Sequence, residues 1–314
     1  MAIRIPITQN PVSCLPGIDF DNIPFGKYFT DHMFIADYDG QDWVDARIVP
    51  LEHMAIHPAN MTFHYGQAIF EGMKATINGE GTPLLFRPEL HIERFNASAT
   101  RMCMPEIPDE LFLESIRQLV YLEKAFIPSS EGSALYIRPF MIAMDDHIGV
   151  AASKTYRYIV ICLPVGPYYP TPIKLLAQTD YVRAVKGGVG EAKTAGNYAA
   201  SLMPAQTARA LGYHQMLWLD AVEHKFIQEV GTMNIFFVMG KSIVTPETDG
   251  CILKGITRAT IIDILLDKGY HVDERPVTIN EIVEAYRSGD LIEVFGSGTA
   301  AVVSHVELIS FHDV

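Results

Sequence analysis

The chain has 314 residues, enough for about two domains of roughly 100–200 residues, and 49% hydrophobic against 19% charged content excludes disorder and fibre. Lys plus Arg (24) against Asp plus Glu (37) leaves a formal charge of −13, which repels polyanions and argues against nucleic acid as a partner. Cys14, Cys103, Cys162 and Cys251 are far apart, prolines at 6, 11 and 16 interrupt the start, and no run of about 18 apolar residues occurs, so a cytoplasmic protein without disulfides, structural zinc or membrane contact is expected.

In chain order, strands are predicted at 33–38, 67–78, 84–86, 133–143 and 157–165, where β-branched and aromatic residues run between Gly, Pro or Asp. Between them Pro88 opens a helix to about Met102, with Phe95, Ala99 and Met102 on one face, and a second helix spans about Asp109 to Ala125. Four prolines in the nine residues 164–172 exclude helix and central strand, and the domain boundary is placed there. A glycine-rich segment then leads to a helix from about Asn197 to Leu211, ended by Gly212, which Pro204 should kink or whose true start it should mark. Strands follow near 214–219, 224–229, 233–239 and 242–245, then a helix from Thr257 to about Lys268, a short helix near 278–287, and strands near 290–295 and 300–308. Strands and helices mix without strict alternation, which points to an α+β fold of two domains rather than one doubly wound sheet.

The chemistry concentrates in a few segments. Lys193 lies in GGVGEAKTAGNY (187–198) among residues with little side chain, so a planar ligand can reach its amine, as a Schiff base requires; a solvated lysine on a flexible loop is the plain alternative. Gly187, Lys193 and Thr194 also match the phosphate loop G-x-x-x-x-G-K-[ST], but Ala192 stands in place of the second glycine and no clear buried strand precedes it, which disfavours nucleotide hydrolysis. HYGQAIFEGMKA (64–75) carries Tyr65 and Phe70 five apart with two glycines, as an apolar pocket wall would.

Arg94 on its helix and Arg138 inside YIRPF each need an anion, either a ligand or a structural carboxylate. Gly255-Ile256-Thr257 precedes an apolar helix, with Thr257 as N-cap and amides suited to phosphate. FGSGTAA (295–301) offers small residues and a hydroxyl at the start of a strand. Glu229 ends an apolar strand, where an inward carboxylate would need a cationic or protonated partner and a solvated strand end is the alternative. No H-E-x-x-H, no zinc-deaminase P-C-x-x-C after His91-Ile92-Glu93 and no G-x-S-x-G exists, so neither a metal site nor a hydrolase serine is expected.

Taken in order, HYGQAIFEGMKA, ERFNASATRM, YIRPF, GGVGEAKTAGNY, EVGTMN, KGITR and FGSGTA resemble the branched-chain amino acid aminotransferases, over about Phe29 to Val306. That resemblance implies the pyridoxal 5′-phosphate fold type IV, with mixed sheets and flanking helices. The expected division is a smaller N-terminal α/β domain (1–168), a linker (169–183) and a larger C-terminal α/β domain (184–314) carrying the lysine. By resemblance, Lys193 would link to the cofactor, Glu229 would pair with its pyridine nitrogen, and Tyr198 would bond the phenolic oxygen. Arg94, the N–H groups of Ile256 and Thr257, and the Thr257 and Thr299 hydroxyls would hold the phosphate.

For the substrate, the Thr299 and Ala300 amides with Tyr136 would bind the α-carboxylate, and Tyr65, Phe70 and Tyr168 would wall the side-chain pocket. Arg138 would receive the γ-carboxylate of glutamate, while Ile148 and Val150 would come from a neighbouring subunit of a homodimer with shared active sites. The implied reaction moves the amino group of L-leucine, L-isoleucine or L-valine to 2-oxoglutarate, giving branched-chain 2-oxo acids and L-glutamate. A D-amino acid aminotransferase or an aminodeoxychorismate lyase of the same fold, and more remotely a nucleotide-binding module, are the alternatives; YIRPF and FEGMKA speak against the first two.

Overall fold

The computed structural model describes residues 3–169 and 171–312. The chain divides into two units, the first running to Tyr168 and taking in Ala192–Ala195, the second comprising Tyr169–Glu191 and the chain from Gly196.

In unit 1 the elements are β1 (His32–Tyr38), β2 (Trp43–Pro50), α1 (Met61–Tyr65), β3 (Ala68–Phe70), β4 (Met73–Ile77), β5 (Pro83–Leu85), α2 (Pro88–Arg101), α3 (Asp109–Leu122), β6 (Ala134–Ala143) and β7 (Tyr156–Val165). The strands form one antiparallel sheet in the order β2-β1-β7-β6-β4-β5, with β3 also on β6. Proline opens α2, and α3 has Asp109 and Glu110 in its first turn, where the helix dipole favours negative charge. Both helices bury one apolar face on this sheet: Phe95 and Phe112 meet Tyr158 of β7 at ring-centroid distances of 5.7 and 5.9 Å. Each such fully buried ring contributes on the order of 1.5–3 kcal/mol through burial.

In unit 2 they are β8 (Ile173–Gln178), α4 (Ala195–Ala200), which starts on the last residue of the lysine segment, α5 (Leu202–Ala210), β9 (Gln215–Leu219), β10 (Ile227–Val230), β11 (Asn234–Met239), β12 (Ser242–Thr245), α6 (Ile256–Asp267), β13 (His271–Glu274), α7 (Ile279–Ser288), β14 (Leu291–Gly298) and β15 (Val302–Ser310). The sheet runs β10-β9-β8-β15-β14-β11-β12-β13 and is mixed, with parallel pairs at β8–β9, β15–β8 and β12–β13. Ile279 and Ile282 of α7 pack with Ile173, Leu175, Leu217 and Val294 into its core.

Several expectations change. The strand foreseen over 67–78 is two, because Pro139 of β6 offers no N–H to a partner and the strand facing it breaks at Glu71-Gly72; the Glu71 N–H still reaches the Pro139 carbonyl at 2.7 Å. Pro164, expected outside any central strand, lies within β7 opposite Leu135. It is tolerated because β1 pairs with β7 no farther along than Ile161, so no strand there needs its N–H. The 197–211 helix divides at Ser201, and Pro204 falls in the first turn of α5, where a backbone N–H has no helical acceptor to lose. The segment expected as a linker carries β8, while Pro170 lies outside the described residues. That strand is also the buried strand expected to be missing before the glycine-rich loop.

Candidate active site

The short segment that bears Lys193 belongs to unit 1. Hydrogen bonds to two elements fasten its backbone. On one side Phe70 of β3 donates its N–H to the Lys193 carbonyl at 3.0 Å, Thr194 bridges to Ile69, and the Thr194 hydroxyl donates to the Ala68 carbonyl at 2.8 Å. On the other, the Lys193 N–H donates to the buried Ser98 hydroxyl of α2 at 2.9 Å, and that hydroxyl donates to the Arg94 carbonyl one turn earlier at 2.9 Å. A segment rich in glycine on its N-terminal side therefore becomes rigid where the lysine stands. The amine lies 4.8 Å from the centroid of the Phe70 ring.

The same ring carries Arg138, whose guanidinium carbon lies 4.5 Å from its centroid, close enough for a cation–π contact. Arg138 also donates to the Tyr136 hydroxyl at 3.0 Å, while its Nε is buried without a hydrogen-bond partner. Such a group calls for an acceptor, and a carboxylate is the acceptor a guanidinium prefers. Gly72 makes room for this arrangement: a Cβ there would lie 2.1 Å from the Tyr136 hydroxyl oxygen. Phe25 stands edge-on to both Tyr136 and Tyr168, at 5.3 and 5.1 Å between centroids, which brings Tyr168 to the same cluster. Tyr65, at the end of α1, has a ring contact only with His64 among those seen, and Ile148 and Val150 stand out on a loop at 64% and 91% exposure.

Arg94 does find a structural carboxylate. Glu71, at 0% exposure, accepts from Arg94 Nε at 2.7 Å on Oε1 and from Arg94 Nη2 at 2.8 Å on Oε2, and His91 Nδ1 lies 2.7 Å from Oε2. Burial alone pushes the Glu71 carboxyl up, but Arg94 and then His91 outweigh it and hold the group well below the usual carboxylate range. Clamping through Nε and Nη2 fixes the plane of the guanidinium and so the direction of its remaining edge.

Unit 2 gathers the other residues. Glu229 is the third residue of β10 and 3% exposed, so the reading of a solvated strand end fails. Its Oε1 accepts from the Leu253 N–H at 2.7 Å and its Oε2 faces Arg183 Nε at 3.3 Å. Two residues after Leu253, Gly255 is the N-cap of α6, with Ile256 the first helical residue; Thr257 is therefore not the cap. No side chain caps this helix, and its first turn holds no acidic residue, which leaves the amides of Ile256 and Thr257 suited to an anion. A Cβ at Gly255 would lie 1.9 Å from Asn234 Oδ1. Thr299 and Ala300 sit in the turn between β14 and β15 rather than in a strand, and the turn closes through Val302 at φ 58°, a left-handed conformation costly for a β-branched residue. Tyr198 is half-buried on α4.

Reading the sequence singled out Lys193, Arg94, Arg138 and Glu229, and missed the supporting roles of Glu71, His91, Ser98, Gly72 and Arg183. The need of Arg94 for an anion, together with a lone Glu inside the apolar stretch 68–75, could have paired Glu71 with it.

A family model described as class IV amino-transferase matches residues 68–309. The chain is 48% identical over 315 residues to branched-chain-amino-acid aminotransferase 2 of Bacillus subtilis (strain 168), covering 99% of this chain and 86% of that one. Among solved structures it resembles the branched-chain aminotransferase of Thermoproteus uzoniensis with norvaline, at TM-score 0.76 and 27% identity over 89% of this chain and 88% of that one. It also resembles the branched-chain amino acid aminotransferase of Escherichia coli, at TM-score 0.73 and 25% identity over 89% of this chain and 86% of that one.

Proposed function

The chain belongs to the class IV aminotransferases, and on that premise we propose that it moves the amino group of L-leucine, L-isoleucine or L-valine to 2-oxoglutarate with pyridoxal 5′-phosphate. The observation that carries this reading is one aromatic ring, Phe70, bearing both a rigidly mounted lysine amine and a buried guanidinium with an unpartnered Nε. The residues fit the cofactor. An uncapped helix start free of acidic residues suits its phosphate, a buried carboxylate suits a protonated ring nitrogen, and the amine of Lys193 suits its aldehyde.

When bound, the cofactor supplies an aldehyde that accepts and returns the amino group and a protonated ring that withdraws electrons from the substrate Cα. Lys193 is the base that takes and returns the Cα proton. Glu229 would keep the proton on the ring nitrogen, and Tyr198 would hydrogen-bond the phenolic oxygen. Arg94, the Ile256 and Thr257 amides, and the Thr257 and Thr299 hydroxyls would hold the phosphate. The Thr299 and Ala300 amides and Tyr136 orient the α-carboxylate; Tyr65, Phe70 and Tyr168 exclude water from an aliphatic side chain, and Arg138 takes the γ-carboxylate of glutamate.

Ile148 and Val150, apolar and exposed on their loop, complete the pocket of a second subunit in a homodimer. The enzyme acts in the cytoplasm, a reading supported by cysteines that remain free thiols at 14, 103, 162 and 251. Among the described residues no helix is long and apolar enough to cross a membrane.

The test is the visible absorbance of the purified protein loaded with cofactor, followed on adding L-leucine and then 2-oxoglutarate. A band that is lost with leucine and returns with 2-oxoglutarate supports both halves of the reaction. No band even with added cofactor overturns the role of Lys193, and a band that answers only D-amino acids overturns the substrate.

A further inference from the structure

A buried carboxylate that is to meet a ligand must be held in place and balanced in charge. Glu229 is so arranged. The Leu253 N–H takes one position on Oε1, while Arg183 Nε stands 3.3 Å from Oε2 without the alignment of a hydrogen bond. Arg183 is fastened elsewhere: its Nη2 donates to the Gly190 carbonyl at 2.9 Å and, at shorter range, to the Cys251 carbonyl. Its side chain is only 9% exposed, so its charge is little screened by water. These contacts all lie within unit 2.

We propose that Arg183 is a positioning residue for the reaction: a cation pinned by two carbonyls that orients Glu229 and balances its charge for the ring nitrogen of the cofactor. The inference rests on Glu229 meeting that nitrogen. A clamp that merely joined the loops at Gly190 and Cys251 would need the same two carbonyl bonds but would leave recognition of the nitrogen untouched, and this difference can be measured.

The full chain, freed of cofactor, is titrated spectroscopically with pyridoxal 5′-phosphate and with its 1-deaza analogue, in which C–H replaces the ring nitrogen. The unaltered protein is expected to prefer the natural cofactor by about tenfold to a hundredfold, the scale of one charge-assisted hydrogen bond. Arg183→Gln should cut that preference to about threefold or less, mainly by weakening the natural cofactor, and Arg183→Lys, which restores the charge, should recover most of it.

If the unaltered protein binds both compounds alike, Glu229 does not meet the nitrogen and the proposal falls with that reading. If it discriminates and Arg183→Gln discriminates equally, the role of Arg183 is overturned while that of Glu229 stands. Should Arg183→Gln not fold, Arg183→Lys decides: retained preference supports the proposal, and preference lost despite the retained charge overturns it.

Discussion

Replacing Glu71 by Gln keeps the shape of the side chain and removes its charge, leaving Arg94 beside an uncharged amide in a site where Glu71 is 0% exposed. Breaking a buried ion pair by neutralising one partner costs about 3–5 kcal/mol. At about 2–4 °C per kcal/mol for a domain of 150–250 residues, the cofactor-free protein should melt roughly 6–20 °C lower. If Arg94 holds the cofactor phosphate as proposed, bound cofactor should restore part of that loss. A thermal melt of four proteins, unaltered, Glu71→Gln, Arg94→Met and the double variant, gives the coupling directly, expected at about 2 kcal/mol or more.

The folded-state value for Glu71 is depressed, so its stabilisation is complete above the unfolded value near 4.5 and fades as the pH falls from there toward the folded value. The melting gap between the unaltered protein and Glu71→Gln should therefore be flat from about pH 8 to 5 and narrow below about 4.5. A Glu71→Gln variant melting within about 2 °C of the unaltered protein at about pH 7, or single losses that simply add in the double variant, would refute the account.

Arg138→Ala should slow the glutamate and 2-oxoglutarate half-reaction by about tenfold to a hundredfold, the value of a charged hydrogen bond, and the leucine half-reaction by no more than about threefold; equal losses in stopped-flow absorbance count against the carboxylate role. Gly72→Ala puts a Cβ 2.1 Å from the Tyr136 oxygen and should cost about 1–3 kcal/mol while displacing that hydroxyl from Arg138, so an unchanged melt with unchanged kinetics contradicts the packing described. Burial pushes the Asp220 carboxyl up, but the N–H groups of Glu223, Lys225, Phe226 and Val222 bring it down to about 2. Its stabilisation is present above the unfolded value of 3.8 and lost as pH falls through about 2, so the stability gap to Asp220→Asn should close between about pH 4 and 2 and not before.

Elements with a strong apolar pattern were legible in the sequence, and those shaped by their place in a sheet were not. β2 escaped because it lies at the edge of its sheet, carries Asp45 and Arg47, and pairs with β1 through a register shift between Ile35 and Asp37. β8 escaped because Pro170 and Pro172 mask a buried strand of six residues. At the site, residues that chemistry makes conspicuous were found: a lysine among glycines, two arginines in apolar runs, a carboxylate closing a strand. Their supports were not, because Glu71 and Arg94 are 23 residues apart and Lys193 and Ser98 are 95 apart, and no periodicity records such meetings. The family motifs reached further along the chain than the local physics.

The return of the chain to unit 1 for the four residues Ala192–Ala195 also constrains the order of its birth. A ribosome that has delivered everything to Tyr168 has made the whole antiparallel sheet but not the strip that covers β3, so the Phe70 N–H and the Ser98 hydroxyl still await the Lys193 backbone. The nascent first unit therefore stays incomplete until a further stretch of chain, β8 and the glycine-rich loop included, has emerged. Severing the chain at 168 would leave β3 without its covering strip and the lysine without its mount.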